Sequence, residues 1–302
     1  MLIKAGKNNQ LAQYSLLVIL SLIFWGNSFI NTSFSDYTIY LAWALVLMQS
    51  LCLSFIVNKQ KLTKNAAFTG LIYLVLICSN QEYMLLSPIL GINCILLLTF
   101  YYLFHMYENE FSYPCIFNAA FFWSTATILD PVFLLTLPCL WLILIVYSVN
   151  KWRAWITSLI GMIAPYFLLF IFCFITNAPY FSEIFTYSTS LQFGFHWPVF
   201  NYSFLILCLV FMICIFSIFH TKQGFYDLEI PKRKKTTVIM VFFFYFLVFS
   251  LTFGLNQFNY FPLFIPMAFF ASNFFTHQKE TLLRESLFYL LLILILIRIY
   301  VL

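Results

Sequence analysis

Eleven apolar runs, parted by short polar or charged breaks, divide the chain from end to end. They lie near residues 13–31, 38–57, 66–79, 88–106, 113–129, 131–149, 155–176, 201–219, 236–254, 260–276 and 286–302. Hydrophobicity within each run is continuous, and most runs have the length of roughly 17–25 residues that a membrane-crossing helix needs. Strands of a membrane barrel would alternate with a period of two over about ten residues. The pattern therefore predicts helices. The run at 66–79 is short for a crossing, and Asp130-Pro131 marks a sharp stop between the fifth and sixth runs.

Composition changes this picture only by naming the solvent. The 302 residues are 63% hydrophobic and 8% charged, against roughly 25% charged in a soluble domain. Water cannot solvate such a surface, so lipid must. The 40 Phe, 19 Tyr and 7 Trp suit lipid-facing surfaces and interfacial belts. In hydrocarbon every backbone polar group needs an internal partner, which leaves helices as the spanning elements here. The expected fold is all-α: a polytopic integral membrane helical bundle of about eleven transmembrane helices, forming a single transmembrane domain over 1–302. The first run is long for the core of a signal peptide and no small-x-small site follows it, so it reads as the first spanning helix.

The cations orient the bundle. With the N-terminus in the cytoplasm, Lys4, Lys7, Lys59, Lys61, Lys64, Lys151, Arg153, Lys222, Lys232, Arg233, Lys234, Lys235, Lys279 and Arg284 all fall on the cytoplasmic side. Of the 15 Lys and Arg residues only Arg298, near the C-terminus, falls toward the outer face. One helix more or fewer would scatter them over both faces. The net charge of +5 is thus a matter of short loops, and no basic domain exists to hold nucleic acid. Two loops are longer. The cytoplasmic loop 221–235 ends in a PKRKK run, and the outer loop 177–198 is rich in aromatics and suits the outer interface.

Four acids face outward in this arrangement, each in a different connection: Asp36, Glu82, Asp130 and Glu183. Clustered carboxylates could act as a general base or hold a divalent cation. Asp130 before Pro131 is equally suited to cap the next helix. His196 is the one histidine on the outer side, and no two histidines have helical metal-ligand spacing. The eight cysteines form no CxxC pair and read as small apolar packing residues. No resident metal or cofactor is expected. Ionisable residues are scarce within the runs, which argues against a coupled transporter. Asn93 and Asn118 read as interhelical hydrogen-bonding residues.

The stretch ATILDPVFLLTLPCLWLILIVYSVNKWRAWITSLIGMIAPYFLLF, residues 126–170, resembles a pattern of GT-C-type membrane glycosyltransferases. There a helix ends at a basic residue and proline, a Leu-rich helix with an internal proline follows, and a Trp-Arg loop leads to another proline-bearing helix. Pro131, Pro138, Trp152, Arg153 and Pro165 fill those places. NYFPLFIPMAFFAS, residues 259–272, is similar to a late helix of the same enzymes. The whole chain looks most like a family of inner-membrane proteins of about this length in Bacteroidota. The GT-C resemblance implies an acceptor-activating acid in the first outer loop, the place of Asp36, with Glu82 as a helper or metal ligand. Asp130, His196 and Asn259 are the candidates for contacting substrate. The departures are specific: Asp130 and Asn259 stand where those enzymes place cations to meet a lipid phosphate.

Three readings follow. The first is a non-enzymatic or degenerate GT-C-like subunit of an envelope assembly in a bacterial inner membrane, its partners the bilayer and another membrane protein. The second is a glycosyltransferase drawing sugar from a polyprenyl-phosphate donor at the outer face. The third is a transporter.

Overall fold

The computed structural model describes residues 10–31, 37–63, 65–79, 84–108, 112–149, 151–176, 202–223, 229–252, 261–277 and 281–300. Among them are eleven α-helices and no strand. The helices are α1 (Gln10–Asn31), α2 (Tyr37–Lys59), α3 (Ala66–Cys78), α4 (Pro88–Glu108), α5 (Tyr113–Leu129), α6 (Pro138–Val146), α7 (Trp152–Thr176), α8 (Tyr202–Gln223), α9 (Ile230–Thr252), α10 (Phe264–His277) and α11 (Thr281–Tyr300). Each falls on one of the apolar runs. Four of them, α2, α4, α7 and α9, are long and apolar enough to cross a membrane. The aromatic-rich loop 177–198 lies outside the described residues.

Two boundaries differ from the sequence expectation, each for a physical reason. The sixth run is two elements, a 3-10 segment Pro131–Thr136 and then α6. Pro138 has no N–H to give, so a continuous helix through it would lose a bond and clash with the preceding turn. The Lys-Arg run expected in a loop is helical, because α9 already begins at Ile230 with Pro231 in its first turn. Proline is suited to that position, and Lys and Arg are good helix formers.

The chain forms two compact units. The first comprises residues 1–90, 198–233 and 263–302. Its centre is α3, all thirteen residues of which are buried. Helices α1, α2 and α10 pack against it. Gly70 lets α2 approach: a Cβ there would overlap the Ser54 hydroxyl and lie 2.5 Å from the Ser50 carbonyl oxygen. Small residues at such crossings let van der Waals contact replace the hydrophobic drive that lipid cannot supply. A ring cluster of Phe68, Phe275 and Phe288, with centroids 5.4–6.0 Å apart, ties α3 to α10 and α11.

The second unit comprises residues 91–197 and 234–262. Its tightest pair is α5 with α7. The buried face of α7 carries Ala154, Ser158, Gly161, Met162 and Pro165. A Cβ on Gly161 would sit 2.7 Å from the Phe117 carbonyl oxygen and 2.8 Å from Ala120 Cβ. The rest of α7 turns outward, with Ile160, Ile163, Phe167, Phe172 and Phe174 each more than half exposed. Only 22% of its most apolar window is buried. A surface of that kind is stable against hydrocarbon and not against water, so the protein is membrane-embedded. Phe100, Trp123, Phe242 and Phe246 form the aromatic core of this unit, with centroids 4.2–6.5 Å apart.

Candidate functional site

Of the five residues singled out for chemistry, Asp130 lies in a described segment. Asp36, Glu82, His196 and Asn259 lie outside the described residues, as does Glu183. Asp130 follows the last residue of α5 with an extended backbone, φ −143° and ψ 110°. Its carboxylate Oδ1 accepts a hydrogen bond of 3.1 Å from the Val132 N–H. Asp130 therefore caps the 3-10 segment, with Pro131 in the first position. Burial pushes its carboxyl above the usual aspartate range, and the Val132 N–H pulls it back.

Several polar residues inside each unit bond to one another or to main-chain carbonyls. In the first unit, the Tyr73 hydroxyl donates to Gln49 Oε1 at 2.8 Å, and Gln49 Nε2 donates to the Leu90 carbonyl at 2.8 Å. Thr69 Oγ1 donates to Ser272 Oγ at 2.9 Å. In the second unit, Trp123 Nε1 donates to Thr136 Oγ1 at 2.9 Å, and Ser124 Oγ donates to the Met162 carbonyl at 2.6 Å. Thr127 and Tyr166 share a hydroxyl–hydroxyl bond of 2.6 Å. Such bonds between spanning helices contribute about 0.6 kcal/mol each on average. Among the described residues no three His, Cys, Asp or Glu side chains gather closely enough to hold a metal ion.

The sequence reading missed the basic end of the second unit. Lys234, in the first turns of α9, reaches the end of α6. Its ammonium donates to the Tyr147 carbonyl at 3.3 Å and to Ser148 Oγ at 3.4 Å. It also lies 5.6 Å from the centroid of the Tyr107 ring, which packs on Tyr147. Helix α6 closes in a Schellman motif: Val149 N–H bonds Leu144 O, Ser148 N–H bonds Ile145 O, and Ser148 takes φ 60°. The last carbonyls of a helix carry partial negative charge, and Lys234 meets it there. Lys151 and Arg153 are exposed just beyond, with the Arg153 guanidinium 6.0 Å from the Trp152 ring. The run of Lys and Arg was expected to orient the chain. Nothing in its spacing indicated which helix end it would meet.

At the far end of the same pair, the Tyr245 hydroxyl donates to the Leu135 carbonyl at 2.7 Å. In a 3-10 segment that carbonyl would accept from residue 138, which is Pro138 and has no N–H. The two contacts fix α6 and α9 as antiparallel neighbours in register. Between them lies an apolar groove of about 580 Å³, walled by Leu135 and Leu142 on one side and by Val241, Phe244 and Val248 of α9 on the other.

No family model, no curated protein and no solved structure matches the chain.

Proposed function

We propose that the protein is a non-enzymatic, multi-pass subunit of an envelope assembly in a bacterial inner membrane. It crosses the bilayer eleven times with its N-terminus in the cytoplasm and its C-terminus near the outer face. The eleven helices on the eleven apolar runs support the count. The partition that leaves Arg298 as the sole outward cation supports the orientation.

The observation that carries the non-enzymatic reading is the state of Asp130. The resemblance to GT-C enzymes calls for a cation at this place to meet a lipid phosphate. This chain has a carboxylate, and its oxygen is engaged by the Val132 N–H. A carboxylate repels phosphate, and one held in a cap is part of the scaffold. Asn259 replaces a cation in the same way at the late helix.

A glycosyltransferase remains the second reading, favoured by Asp36 and Glu82 in two outer connections of the proposed topology. One experiment separates the two. Asp36→Asn should leave expression, folding and any glycan-dependent phenotype intact, and the full chain should co-purify with a stable envelope partner. Loss of a glycan-dependent phenotype in Asp36→Asn, with Glu183→Gln silent, overturns the non-enzymatic reading. General-base removal would cost about 10²–10⁴ in rate.

A further inference from the structure

We infer that the groove between α6 and α9 seats one chain of an acidic phospholipid whose phosphate meets the cations at its Lys234 end.

The groove has the length for this. From Thr237 to Thr252 its α9 wall runs about 22 Å, more than the roughly 15 Å of hydrocarbon in one leaflet. The wall is a single helical stripe, because Thr237, Val241, Phe244 and Val248 recur at three- and four-residue steps. Continued one turn back, the same stripe reaches Lys234. The apolar groove and the charged end are therefore one continuous surface on α9.

Charge decides the headgroup. Lys234 lies one turn before Thr237, the first α9 residue of the groove, and its bonds to Tyr147 and Ser148 leave one of its three donors. Lys151 and Arg153 follow a few residues after Ser148, exposed at the start of α7. Among the described residues of this unit the acids are Asp130, at the opposite end of the 3-10 segment and α6, and Glu108, which ends α4 one residue after Tyr107; Lys234, Lys151 and Arg153 outnumber it at this end. Basic sites between spanning helices select acidic headgroups by this arrangement of cations above an apolar slot. A zwitterionic headgroup would bring its own ammonium against them. The inference holds whether or not the protein is catalytic.

The test uses the full-length protein purified in mild detergent. Phosphatidylglycerol or phosphatidylcholine is titrated in, and bound lipid is read by native mass spectrometry. Each exposed cation is worth about fivefold in affinity for an acidic lipid. The wild type should prefer phosphatidylglycerol, and Lys151→Gln with Arg153→Gln should reduce that preference about 25-fold. Val241→Trp, which fills the groove, should abolish retention of phosphatidylglycerol. If that variant does not fold, Leu142→Trp is read from the opposite, exposed wall. Equal binding of both lipids by the wild type overturns the inference. So does wild-type retention in the folded groove variant, or displacement of the lipid by inorganic phosphate alone.

Discussion

The Lys234 ammonium donates to the main-chain oxygen of Tyr147 across 3.3 Å, joining the start of α9 to the end of α6. Eighty-seven residues of sequence separate the two partners. The contact pairs a positive charge with a helix C-terminus, so it should stabilise the fold, and less so as salt screens it. Lys234→Met should keep the apolar stem and lose the charge. We expect a loss of about 0.5–1 kcal/mol, read as a lower unfolding midpoint in detergent. Lys234→Arg should retain most of the stability. An unchanged midpoint in Lys234→Met would show that the contact contributes nothing.

Gly161 offers a sharper structural test. The contact it permits is with backbone, the Phe117 carbonyl, which cannot turn aside as a side chain can. Gly161→Ala should cost about 1–3 kcal/mol through overpacking, although alanine favours helix more than glycine does. A stabilised Gly161→Ala variant would mean that α5 and α7 are not in this close contact.

For Asp130 the direction of the pKa shift sets the sign. Its carboxyl is raised in the folded state by burial. The folded protein then binds the proton more tightly than the unfolded chain does. The protonated form favours folding, and that contribution is lost as pH rises through the raised value. Stability should fall on the alkaline side of the ordinary aspartate range, and Asp130→Asn should remove that step while keeping the cap acceptor. Asp130→Ala should cost about 1 kcal/mol through loss of the cap. A pH profile identical in wild type and Asp130→Asn would contradict this.

Topology is open to direct measurement. In a chain otherwise stripped of reactive cysteines, a membrane-impermeant thiol reagent applied from outside should label Ser33→Cys and Ser190→Cys. It should leave Gly224→Cys untouched. Strong outside labelling at position 224 would reverse the orientation.

The helices were legible because lipid makes the signal simple. A run of apolar residues long enough to cross must be helical, since nothing else satisfies its backbone. Helix ends were less so. Pro138 looked like an internal residue of a Leu-rich helix, yet the missing N–H splits that segment in two. The Lys232–Lys235 stretch looked like loop because it is charged, although helix propensity places it in α9. Capping by Asp130 was readable from the Asp-Pro pair, because the chemistry is local. The Lys234–Tyr147 contact was not, because no sequence pattern specifies which carbonyl a distant ammonium will find.

The complete burial of α3 has a bearing on how the chain is made. Thirteen residues of helix extend about 20 Å, short of the roughly 30 Å of hydrocarbon. On leaving the ribosome, α3 has α1 and α2 as company, but Thr69 must wait for Ser272, 203 residues later in synthesis. Until α10 arrives, one side of the most enclosed helix in its unit is open to lipid or to a chaperone. Insertion of the early helices is thus provisional, and a ribosome stalled before residue 264 should leave a nascent protein that membrane quality control can recognise.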